Sequence, residues 1–166
     1  MVMRFDSLSK NVVNVMKTLS NNQGLLQLLV NDVDNPFDPN LPVINPANVI
    51  NPKHQLCRIK PYPFDVEATE TNGSFIRVYY NYGDLDESEV ISETTLHIDI
   101  VVAKELWLIK GEMIRPYEIM ARVIDMVGKR AVGNGIKLKM SGFQHLAVNT
   151  KFDAVRITSE YMTVEV

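Results

Sequence analysis

Seven of the eight prolines lie between Pro36 and Pro63, and no other feature restricts the fold as strongly. Proline lacks a backbone N–H and fixes φ, so a stretch this rich in it reads as neither regular helix nor central strand. Residues 31–55 run NDVDNPFDPNLPVINPANVINPKHQ. Connections longer than about 12–15 residues are uncommon in compact domains unless they bind, act as lids or are disordered. Here Val43, Ile44, Val49 and Ile50 stand among the prolines, where a solvated linker would carry serine, glycine and glutamine. The segment is expected to dock, on its own domain or on a neighbour.

A chain of 166 residues that is 46% hydrophobic has the size and composition of one globular domain, residues 1–166, with 31–55 as an extended loop. Its apolar runs, such as residues 101–103 and 106–109, fall far short of the roughly 20 residues that span a bilayer, so no membrane partner is expected. The N-terminal MVMRFDSLSK lacks the apolar core of a signal peptide, and no export is implied. The single cysteine, Cys57, has no internal disulfide partner; it suits a reducing compartment and reads as a small buried residue beside a strand. A net charge of −3 argues against affinity built on neutralising nucleic-acid phosphates. Lys129, Arg130, Lys137 and Lys139 read as a solvated edge around a turn.

Helical spacing of Leu8, Val12, Val15, Met16 and Leu19 behind Ser7 predicts an amphipathic helix over 7–19 with Ser7 as its N-cap. A second helix, capped by Asn21 or Asn22 and stopped by Asn31 and Asp32, is apolar nearly all round (Leu25, Leu26, Leu28, Leu29), so it is expected in the core or against a partner. After the prolines the period becomes two. Residues 75–82 alternate Ile76, Val78, Tyr80 and Tyr82 against Phe75, Arg77, Tyr79 and Asn81. Residues 94–102 place Leu96, Ile98, Ile100 and Val102 on a core face and Thr95, His97 and Asp99 on a face that is wet or pairs with a neighbour. GDLDESEVIS between them reads as an exposed acidic hairpin loop. Residues 56–64 read as an edge strand, confined there by Pro61 and Pro63.

A further helix begins near Arg115, with Pro116 in its first turn and Glu118 near its positive end. Ile119, Val123 and Met126 or Val127 form its buried stripe, and it ends between Gly128 and Gly135. Ile136, Leu138 and Met140 then alternate with Lys137 and Lys139, and a last strand pair turns at 149–153 with Val155, Ile157 and Tyr161 on one face. The plan is α+β: a mainly antiparallel sheet, helices packed on one face, and a long proline-rich loop.

Catalytic and cofactor motifs are not met. Asp32, Asp34 and Asp38 hint at a calcium loop, but Phe37 stands where glycine is required and Val43 where glutamate is. His54, His97 and His145 are far apart with no metal-ligand spacing. Gly133 and Gly135 follow a helix rather than a strand and read as a turn. No catalytic residue, cofactor or metal site is therefore assigned. His97 and Asp99, two apart on one strand face, form an acid/base pair or, more simply, cross-strand surface partners. Trp107, in ELWLIKGE, is an interface anchor or folds over its own core.

As a whole the chain resembles the tail-terminator or tail-completion proteins of long-tailed bacteriophages. The pattern is an N-terminal helix, a loop-rich crossing, strands such as SFIRVYYNYG and ETTLHIDIVVAKELW, the helix RPYEIMARVIDMVG and a closing strand pair, over most of residues 7–166. It departs at loop 31–55, longer and richer in proline than the family's pattern, which leaves the neck position open. The resemblance implies a non-enzymatic virion protein, assembled in the host cytoplasm, that forms a ring, commonly of six, at the head-proximal end of the tail. Such a ring halts tail-tube growth and meets the head connector. Implied partners are copies of itself, the tail-tube protein, a head-connector or neck protein, and DNA in transit without specific binding, with which the mild acidity agrees.

Strand addition or arm exchange is a physical route to such a ring. On the residues alone, Leu25, Leu28, Phe37, Val43, Ile44, Val49, Ile50 and Trp107 are the expected interface. The alternatives are another head–tail joining protein, a regulatory interaction module, or a ligand-binding or enzymatic α/β domain that uses His97 and Asp99.

Overall fold

A computed structural model of the chain describes residues 5–66, 72–129, 131–132 and 136–163. Three helices precede the sheet: α1 (Phe5–Ser20), α2 (Gln23–Val30) and α3 (Pro46–Ile50). The strands are β1 (Ile59–Lys60), β2 (Ser74–Leu85), β3 (Ile91–Ala103), β4 (Leu108–Ile109), β5 (Met113–Ile114), β6 (Ala131–Val132), β7 (Ile136–Ala147) and β8 (Phe152–Thr163). Helix α4 (Arg115–Val123) lies between β5 and β6 and runs on into a π-helical turn, Ile124–Gly128. The main sheet has the order β1-β2-β3-β8-β7-β6. Every pairing in it is antiparallel except β1 with β2. Helices cover one face, so the fold is the expected α+β plan.

Local chemistry explains most element ends. Helix α1 starts at Phe5, so Ser7 sits inside its first turn and is not the cap. The side chain of Asn22 accepts the Leu25 N–H and caps α2, satisfying one of the orphan donors of a helix start. Helix α3 corrects the expectation that residues 31–55 hold no regular structure: Asn45 accepts the Ala47 N–H, and Pro46 occupies the first turn, where its missing N–H is no loss. The predicted edge strand over 56–64 shrinks to β1, and its pairing is parallel. The acidic loop is shorter than expected because β2 and β3 continue to Leu85 and from Ile91. The Gly133/Gly135 turn and Arg130 lie outside the described residues, as does the Tyr161 side chain.

The core lies between the helices and the sheet. Val15, Leu19, Leu25, Leu26, Leu28 and Leu29 meet Ile76, Val78, Leu96, Ile98, Ile100 and Ile157, with Ile119, Val123 and Val127 from α4 and the turn that extends it. Val127, rather than Met126, is the buried member of the α4 stripe. Cys57 is buried next to β1, as its composition suggests.

The charge of Arg115 is fully enclosed. The Arg115 guanidinium donates to the carbonyls of Leu28 (2.6 Å), Asn31 (3.2 Å), Val33 (2.8 Å) and Leu106 (2.9 Å). It thereby satisfies the exposed carbonyl end of α2 and pins the loop start and the 3-10 turn Lys104–Leu106 together. Burial lowers its pKa, and the charge of Asp32 raises it part of the way back.

Candidate assembly interface

On the sheet face away from the helices, β3 carries Thr95, His97 and Asp99. Asp99, expected on a face that is wet or pairs with a neighbour, is 0% exposed. Its Oδ2 accepts from Arg77 Nη2 (2.8 Å), Arg77 Nε (3.1 Å), the Tyr79 hydroxyl (2.7 Å) and Arg156 Nη2 (3.2 Å), and its Oδ1 from Arg156 Nε (2.8 Å). The partners follow from register, because Arg77 on β2 and Arg156 on β8 both stand directly across from Asp99. Burial pushes the Asp99 carboxyl up, but hydrogen bonds from Arg156 and Tyr79 and the charges of Arg77 and Arg156 outweigh it and hold the pKa below the ordinary value. Phe64 helps close this face. It packs edge-on against Phe75, its ring centroid 5.4 Å away, and its carbonyl accepts from Arg77.

His97 is 7% exposed and packs edge-on against Tyr79. Its Nδ1 is buried with no hydrogen-bond partner. Desolvation and the charge of Arg156 lower its pKa, against a smaller opposing effect of Asp99. The two residues point to one face, as their spacing predicts, yet Asp99 spends its acceptor capacity on two arginines and a tyrosine. That arrangement is a cross-strand tie between β2, β3 and β8.

The eight expected interface residues divide by burial. Leu25, Leu28 and Val49 are 0% exposed and Ile44 is 5% exposed. This corrects their assignment: they are sealed in the chain's own core and reach no partner without unfolding. Phe37 and Ile50 pack on that core while partly exposed, and Arg122 lies over the Phe37 ring. The Gln23 side chain clamps both backbone groups of Ile44, so the loop docks on its own domain. Trp107 also folds back, donating Nε1–H to the Val102 carbonyl (3.0 Å) and contacting Tyr117 and His145. Of the eight, only Val43 is freely exposed, at 88%.

The prominent exposed feature lies elsewhere. Described pairing of β3 with β8 stops at Thr95, whereas β2 and β3 stay paired out to Leu85 and Ile91. A two-stranded arm therefore reaches past that pairing. It carries Asp84, Asp86, Glu87, Glu89 and Glu93 with no lysine or arginine across residues 81–94. Tyr82 and Leu85 are about half exposed on it. At its base a groove of about 290 Å³ is lined by Phe5, Leu8, Tyr80, Tyr82, Leu85 and Ile91 among others. Sequence reading found the acidic run and missed the groove, because Phe5 and Leu8 approach Tyr82 and Leu85 only through the packing of α1 on β2.

No helix among the described residues is long and apolar enough to cross a membrane. No curated protein and no solved structure matches the chain significantly. The model of one family does match, over residues 22–161, which takes in every element from α2 to most of β8. The chain therefore belongs to the YomW family, a family derived from phage genes.

Proposed function

We propose that this phage-related protein is a structural, non-enzymatic subunit that forms a ring, most simply of six copies, at the head-proximal end of a phage tail. There it ends tail-tube growth and joins tail to head. The observation that carries the reading is the projecting β2–β3 arm, an exposed element with an acidic tip and half-exposed apolar side chains. Such an element suits contact between subunits better than chemistry on a small molecule. Membership of a phage-derived family and the α+β order of elements support the same reading. The enzymatic alternative draws no support from Asp99, whose oxygens are already taken by Arg77, Arg156 and Tyr79.

The test is tube growth. Purified protein added to polymerising tail-tube subunits is expected to arrest elongation and narrow the length distribution. Unchanged tube lengths at saturating protein would refute the terminating role.

A further inference from the structure

Among the described residues, both edges of the main sheet are only partly covered. Strand β1 covers only Ile76 and Arg77 of β2, and β6 covers only Ile136 and Lys137 of β7. Among the described residues no strand pairs with the outward edge of β2 over 78–85 or of β7 over 138–147. Unpaired strand edges are templates for another chain, and proteins commonly blunt them with proline, charge or a covering element. Neither stretch contains proline. Residues 141–145 are all exposed, with Phe143 63% exposed.

The two open stretches overlap in height, from Val78 to Tyr82 on β2 and from Phe143 to Lys139 on β7. Following the register across the sheet, Tyr82 stands opposite Thr95, Thr95 opposite Glu160, and Glu160 opposite Lys139. Likewise Val78 leads through Ile98 and Ile157 to Phe143. The strands run in opposite senses, since three antiparallel pairings separate β2 from β7. Copies related by rotation about an axis along the strands would therefore bring β2 of one against β7 of the next as an antiparallel pair.

The two edges are also complementary in chemistry. On one side of the sheet, Lys137 and Lys139 are exposed on β7 at the height of Tyr82 and Asp84, although Glu160 beside Lys139 offsets part of that charge. The facing arm is wholly acidic. On the helix-covered side, exposed Phe143 lies on the same face as the apolar groove at Phe5 and Leu8.

We infer that a second copy of this chain occupies each edge: β2 of one subunit pairs antiparallel with β7 of its neighbour, the acidic arm lying over Lys137 and Lys139. Different surfaces meet at this contact, so it is heterologous and closes only as a ring. It rests on the ring reading above and specifies the contact within it.

Charge exchange tests it. The variant Lys137→Glu/Lys139→Glu and the variant Asp84→Lys/Glu93→Lys should each lose the oligomer in light scattering at concentrations where wild type assembles. Mixed one to one, they should regain it, because at positions 84 and 93 facing 137 and 139 each acidic side chain then meets a basic one. Matching thermal melts of the two variants and wild type verify that both fold. Oligomers indifferent to either reversal, or loss with no recovery on mixing, overturn this contact. In that event, tubes still arrested by wild type leave the terminating role standing. A wild-type protein that stays monomeric even on tubes overturns both.

Discussion

At the scale of single residues, buried charge dominates. Removing Asp99 would strand two arginines that are 11% and 23% exposed. Loss of one partner of a buried ion pair costs roughly 3–5 kcal/mol, so Asp99→Ala should lower stability by about that much in urea unfolding. The sign of the pH dependence follows from linkage. His97 has a folded pKa below its ordinary 6.5, so its contribution is present above that value and lost as pH falls below it. Asp99 sits below its ordinary 3.8, so its contribution is lost only at lower pH still. Acid unfolding should show both limbs, and His97→Gln should remove the one below about pH 6.5. A limb that persists in His97→Gln would assign it to other groups. The face of these residues was legible from the two-residue period of β3. Their burial was not, because Phe64 closes the face from an aperiodic segment, and Arg77 and Arg156 meet Asp99 from 22 and 57 positions away. Arg115 carried no signal at all, since its carbonyl partners gather only after folding.

At the scale of elements, periodicity was informative wherever one face is buried. It placed the alternation of β2 as far as Tyr80, beyond which a bulge turns Tyr82 to the face of Thr95 against expectation; it also placed the alternation of β3 and the stripe of α4, and it set Ile98 and Ile100 on the core side. It failed in residues 31–55, where prolines break any period and only Asn45 followed by Pro46 hints at α3. Ile44 and Ile100 are 5% and 0% exposed. Truncating a buried isoleucine to alanine costs about 2–5 kcal/mol through lost transfer energy and the cavity left. Thermal melts of Ile44→Ala and Ile100→Ala should both show losses in that range. A wild-type melt for Ile44→Ala would mean the loop is not anchored as described; one for Ile100→Ala would undo the register of β3. The loop's docking also moves the expected assembly surface from residues 31–55 to the β2–β3 arm, whose length depends on where β8 stops pairing and cannot be read from local sequence.

At the scale of the whole molecule, the change from helical to two-residue periodicity was enough to give the α+β plan. The strand order was not legible, because placing β8 between β3 and β7 depends on long-range pairing with no local mark. That order determines which edges stay open and therefore how copies can meet. Contacts between exposed charges weaken as salt shortens the screening length to about 3 Å at 1 M, so assembly through the acidic arm should weaken with ionic strength in light scattering. The most direct test of the ring-forming account is negative-stain imaging of tail tubes mixed with the purified protein. The account predicts a closed ring, most simply of six subunits, at one end of each tube. Bare tube ends, or protein scattered along the tube wall, would contradict it.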